Sequence, residues 1–367
     1  MAGTGFPPDT RLTYRIAETW LLVLLLAFGY ATLLGLLLQW AFGWPWWLAL
    51  FAPLVGGALV YLIEGGTVLP RKLPIAPADP VADHRLVAAV DRLCALAAMD
   101  RPKLKVIDVT WPNALALRLP GRKPTVAVTR GLLDQSDDER LAAVLAHELA
   151  HIAHRDTAAM TVALALSTSL ALAPMAILAP LMAVEVPLCR AARWCGRSWT
   201  PATEDDDFPM PAPRKHSPGR LALLTLTVVP LLGLVRAVEF LLLLGLGVVL
   251  LPPMAILAIP AAGIIARLGR YRELAADRGA AELTGQPAAL AAALTALDAD
   301  GPVIPSKDLR GLRTMSSMTI VALPKDGEDT GTDRLSRLVD RMMASHPPLA
   351  ARLEPLAQLS RDLGREH

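Results

Sequence analysis

Cysteine is scarce and poorly spaced for pairing. Cys94, Cys189 and Cys195 are the only three in 367 residues. No C-x-x-C motif occurs, so a disulfide framework is excluded and the three read as isolated cytoplasmic thiols. Charge is thin as well: 19% of residues are Asp, Glu, Lys or Arg, and the net charge is only +2. With no basic stripe interleaved with aromatics, nucleic acid is excluded as a partner. Internal repeats are also missing, which excludes a solenoid.

What the chain has in excess is apolar surface, with 53% hydrophobic residues and a mean hydropathy of +0.42. Residues 17–38 are nearly uninterrupted Leu, Val, Ala and Gly, enough to cross a bilayer. A second run, 44–63, opens with Trp44, Trp46 and Trp47, aromatics suited to the membrane interface. A third covers 158–184, and the longest, 221–265, contains Pro230, Arg236, Glu239, Pro252, Pro253 and Pro260. The lipid bilayer is therefore a partner, and the first run, too long for a signal-peptide core, reads as a retained anchor. Four segments follow: a two-span anchor at 1–63, a polar segment at 64–157, a membrane-embedded region at 158–266 with a polar loop at 187–219, and a polar segment at 267–367.

Within the first polar segment, residues 80–100 have helical apolar spacing. Lys103–Val109 and Thr125–Thr129 alternate like strands of a small sheet, with a Pro-Gly turn at 120–121. Then comes His147-Glu-Leu-Ala-His151, an H-E-x-x-H pattern. Residues four apart on a helix share a face, so His147 and His151 can clamp one ion, with Glu148 beside them as general base for the attacking water. Ser136 and Glu139 form a capping box before an apolar run of Leu141, Val144, Leu145, Leu149 and Ile152.

A catalytic zinc site needs a third protein ligand. His154 is on nearly the same face, but about 10 Å of helix rise separates it from His147, several times a zinc–nitrogen bond. His154 is therefore read as a surface or membrane-interface residue. Glu273, in Arg270-Tyr-Arg-Glu-Leu-Ala-Ala-Asp-Arg278, is the best third ligand. Asp277, one turn later, can accept the free N–H of a ligand histidine. The spacing predicts a helix over Arg267–Leu283 that stops at Gly285, before Pro287. Residues 300–333 read as a loop, with a short strand at 318–322.

The HELAH motif, the later Arg-Glu-x-x-Ala-Asp segment and Ser-His-Pro-Pro-Leu-Ala-Ala-Arg-Leu at 345–353 stand in the order found in HtpX-like membrane metalloproteases. The segment around Asn113-Ala114, followed by Pro-Thr-Val-Ala-Val-Thr-Arg-Gly-Leu-Leu, also resembles that family's edge-strand region. These enzymes are relatives of the Ste-type CaaX-prenyl proteases. The resemblance implies one zinc ion per chain, held by His147, His151 and Glu273, with Glu148 catalytic and Asp277 behind the ligands. It also implies that Asn113 binds the backbone of a polypeptide substrate, and that His346 faces the site and assists catalysis. Arg352 is read as a structural ion-pair partner.

Both histidines and Glu273 must meet at one ion, so the chain crosses the membrane an even number of times between them. Either 158–184 and 221–265 each cross once, or 158–184 only dips and 221–265 crosses twice, turning near Arg236 and Glu239. Arg11, Arg15, Arg71 and Lys72 flank the first two runs and favour a cytoplasmic protease domain. Arg190, Arg193, Arg197, Arg214, Lys215 and Arg220 in the polar loop favour the same side and the double crossing; acidic residues 204–207 do little to offset them. The expected architecture is a mainly α multi-pass cell-membrane protein of about four spans, with a zincin-like α+β protease domain carrying a small β-sheet. The expected activity is that of a zinc endopeptidase in quality control of membrane or misfolded proteins. The rivals are a CaaX-prenyl-type protease, an intramembrane metalloprotease and an inactive membrane scaffold.

Overall fold

Alternation of apolar residues in short β-prone runs builds a four-stranded sheet in the computed structural model, which describes residues 5–6, 9–65, 74–117, 123–201, 210–300 and 344–365. The expected turn at 120–121, the strand at 318–322, Arg71, Lys72, acidic residues 204–207 and nearly all of loop 300–333 lie outside the described residues. The strands are β1 (Ile75–Pro77), β2 (Lys103–Ile107), β3 (Ala114–Leu117) and β4 (Thr125–Thr129), in the order β1-β2-β4-β3. β2 and β4 are parallel, with Lys105 opposite Ala127. β1 and β3 close the two sides antiparallel. Only β2 and β4 are legible as strands from alternation; β1 has three residues, and β3 is buried at all four positions.

Two compact units divide the chain, one from residues 1–167 and 260–367, the other from 168–259. In the first, α1 (Thr10–Phe42) starts where Asp9 accepts the N–H of Leu12 and stops at Gly43, whose φ of 70° suits glycine. α3 (His84–Leu96) buries Leu86, Val90, Leu93 and Cys94 against α5 (Asp138–His154). Arg85 ties this layer together, donating to Asp138 and to the carbonyls of Leu133 and Ser136.

The cap of α5 differs from expectation. Ser136 ends the short α4 (Arg130–Gln135), and Asp137 is the N-cap, accepting the N–H of Arg140 at 2.8 Å. Either side chain can cap; the chain leaves α4 too late for Ser136 to do so. Every residue from Leu141 to Ile152 is buried, more than one amphipathic face. α5 is a central helix covered by α3, β3 and α8 (Pro287–Asp300). Arg155, left-handed at φ 57°, ends α5, and α6 (Asp156–Trp194) begins at once.

α7 is one helix from Pro218 to Thr284, through Pro230, Pro252, Pro253 and Pro260. It has no turn near Arg236 and Glu239, which removes the double crossing of 221–265 as drawn from sequence. Arg236 stays in the helix, bound to Glu185 at 2.7 Å and 5.2 Å from the ring centre of Trp199, while Glu239 is buried in the helix with neither carboxylate oxygen hydrogen-bonded. The helix expected over Arg267–Leu283 is the end of α7, and Gly285 (φ 65°) stops it as anticipated. By length and composition, two helices among the described residues can cross a membrane, at Thr10–Trp40 and Pro218–Val249. The run at 44–63 forms a 3-10 helix, Trp46–Phe51, followed by the 14-residue α2 (Ala52–Gly65). All three cysteines are free and buried. The last helix, α9 (Leu349–Leu363), packs on α8.

Candidate metal centre

His147 and His151 face the same side of α5, one turn apart, and α7 brings Glu273 to them. Their Nε2 atoms are 3.2 Å apart. Glu273 Oε2 is 3.5 Å from His147 Nε2, and Oε1 is 3.5 Å from His151 Nε2. All three residues are buried. Two ligands bonded at ~2.0–2.1 Å in tetrahedral geometry sit ~3.3 Å apart. Two nitrogens and one carboxylate at these separations fit a zinc ion.

Each imidazole is held from behind. His147 Nδ1 faces Asp277 Oδ1 at 2.9 Å, off the line of a straight hydrogen bond. His151 Nδ1 bonds Asp156 Oδ2 at 2.9 Å. Arg352 grips Asp277 with two bonds, Nε to Oδ2 at 2.8 Å and a terminal nitrogen to Oδ1 at 2.7 Å. Arg272 Nε lies 3.3 Å from Asp156 Oδ2.

The charges reflect this. Burial opposes a charge on His151, yet Asp156 raises its pKa to about 10. His147 is raised too: burial pulls it down, and Asp277 and Glu273 outweigh that. Glu273 resists the upward push of burial and is held well below the usual carboxylate range by His147, His151 and His346. Burial pushes Glu148 the other way, above that range. Both its oxygens, and Glu273 Oε2, are buried without a hydrogen-bond partner. Acceptors this dry favour a cation among them.

Of the remaining sequence candidates, His346 and Arg352 lie against this cluster. His346 Nδ1 is 3.7 Å from Glu273 Oε2. Asn113 is buried just before β3; its N–H donates to Thr129 Oγ1, and its side-chain oxygen accepts the N–H of Ala114. His154 is not at the surface but half-buried, its ring edge-on to Phe6 at 6.3 Å between centres. The glycine at 279 leaves the room: a Cβ there would touch both rings. Arg352 is the ion-pair partner expected, and its mate is Asp277. Sequence reasoning passed over Asp156 and Arg272. Their signals were an acidic residue just past the end of the HELAH helix and an arginine beside the third ligand.

Known proteins resemble the chain over most of its length. The sequence profile of peptidase family M48 matches residues 80–187 and 219–360. The chain is 33% identical over 363 residues to protease HtpX homolog 1 of Streptomyces coelicolor, spanning 98% of this chain and 96% of that one. It is 32% identical over 314 residues to the protease HtpX homolog of Acidiphilium cryptum, covering 85% and 87%. Among solved structures, the crystal structure of S. mikatae Ste24p covers 95% of this chain and 67% of its own. At 18% identity and a TM-score of 0.41, that likeness is too weak to argue a shared fold.

Proposed function

The chain belongs to peptidase family M48, and from that premise we propose that it is a zinc-dependent integral membrane endopeptidase. Its substrates are membrane or misfolded proteins. The observation that carries this is the triangle of His147, His151 and Glu273, whose 3.2–3.5 Å edges match tetrahedral zinc ligation.

Zinc, when bound, supplies a Lewis acid that polarises the scissile carbonyl and acidifies water. Glu148 takes the proton of the attacking water and hands it to the leaving nitrogen. Its burial raises its proton affinity, which suits a group that must both accept and return a proton near neutral pH. His346, beside Glu273, is assigned to the developing oxyanion or the substrate. β3 is an edge strand among the described residues. Asn113 pairs with Thr129, so by alternation the backbones of Ala114 and Ala116 face away from β4. An extended peptide can pair there through Ala116, and through Ala114 once the Asn113 side chain at the end of the strand releases the Ala114 N–H to the substrate. Recognition through main-chain groups tolerates many sequences, as quality control requires.

Support for the membrane reading comes from the apolar helices at Thr10–Trp40 and Pro218–Val249. With α7 unbroken, 158–184 and 221–265 each cross once, which keeps the crossing number even; 44–63 supplies the fourth span. The flanking arginines favour a cytoplasmic protease domain. The test is zinc content of the purified full-length protein in detergent. One ion per chain is expected, and Glu273→Ala should lose it. A wild type that takes up no zinc, or a Glu273→Ala protein that keeps its ion, would overturn the assignment.

A further inference from the structure

The two histidines of the metal cluster are held by two similar but unequal arms. Behind His147 stands Asp277, locked by both nitrogens of the Arg352 fork. Behind His151 stands Asp156, with a single contact to Arg272 at 3.3 Å. Asp156 is 0% exposed and Arg272 1%. A terminal nitrogen of Arg272 also lies 3.4 Å from His151 Nδ1. Arginine can only donate, so the shorter 2.9 Å contact to the carboxylate decides where the Nδ1 proton points.

We propose that Asp156 and Arg272 are positioning residues for His151, an inference that rests on the zinc assignment above. An imidazole that donates Nδ1–H to a carboxylate is fixed in the tautomer that leaves Nε2 free for a metal. A carboxylate buried this deeply needs a compensating charge, and once His151 gives up its proton to bind a metal, Arg272, 3.3 Å away, supplies it. The local backbone explains how Asp156 arrives there. Arg155 adopts a left-handed conformation, ending α5, so α6 starts with Asp156 folded back beneath His151. Arg272 is the immediate neighbour of Glu273. One turn of α7 thus delivers both the third ligand and the charge that secures the second. The first turn of α6, the last turn of α5 and α7 are locked at one imidazole.

The test is metal affinity, measured on the full chain in detergent by competition with a chromophoric chelator, with cobalt(II) spectra as a readout of ligand geometry. Asp156→Asn is expected to bind zinc about 10–100-fold more weakly and to alter the cobalt absorption, with zinc-free thermal unfolding as the folding control. Arg272→Lys should retain more affinity than Arg272→Gln because the charge persists, and this pair covers the case of an unstable Asp156→Asn. Wild-type zinc affinity and an unchanged cobalt spectrum in Asp156→Asn would overturn the inference alone. Wild-type protein that binds no zinc would instead remove the ligand assignment and this inference together.

Discussion

His147 and His151 point their Nε2 atoms at one another across 3.2 Å, both side chains buried. Two nitrogen lone pairs at that distance repel unless a proton or a metal ion lies between them. The raised proton affinity of both imidazoles and the depressed pKa of Glu273 describe the same demand for positive charge.

Metal binding should therefore compete with protons. A metal must displace the Nε2 proton, so at fixed free zinc the occupancy should rise with pH between 6 and 9, by about tenfold in affinity per pH unit for each proton displaced. In the zinc-free protein the linkage has the opposite sense. His151 is raised from 6.5 to about 10, so its stabilising contribution is full below pH 6.5 and is lost as pH rises through 10. Chelator-treated protein should accordingly melt at lower temperature at pH 10 than at pH 7. Zinc affinity that stays flat across this range would contradict the ligand assignment.

Arg352 is predicted to be a stability residue first. Its side chain is 4% exposed and holds Asp277 with two bonds. Arg352→Met leaves a buried carboxylate without its cation, at a cost of about 3–5 kcal/mol. Chemical denaturation should show that loss with or without zinc. A change below 1 kcal/mol would mean that water reaches Asp277.

Gly269 should separate His346 from metal binding. A Cβ at this position would stand 2.8 Å from the Ser345 carbonyl oxygen, next to His346. Gly269→Ala must push that backbone away, costing about 1–3 kcal/mol. Proteolysis should then fall while zinc stoichiometry stays at one. Full activity in this variant would remove His346 from the assigned role.

The parts of this site that follow helical periodicity were legible in the sequence. His147 and His151 are one turn apart, as are Glu273 and Asp277, and each pair needed only a helix. The metal geometry supplied the rest, since two histidines require a third ligand and a straight helix forbids His154. Asp156 was illegible because it lies across a left-handed turn, where periodicity carries no information. Ser136 and Asp137 were indistinguishable as caps, since either side chain can accept a backbone N–H three residues on. Strand β3, buried throughout, lacks the alternation that marked β2 and β4. The alternative with a turn near Arg236 and Glu239 fails because Arg236 finds Glu185 without leaving the helix.

In the proposed mechanism Glu148 moves the proton while the two histidines and Glu273 hold the metal. Purified wild type and Glu148→Gln, both loaded with zinc in detergent, should be compared for casein hydrolysis and self-cleavage. The substitution preserves shape and removes only the base, so zinc content should stay at one per chain while hydrolysis falls by at least about 100-fold. Equal hydrolysis by the two proteins would contradict the proposed role of Glu148 as the base.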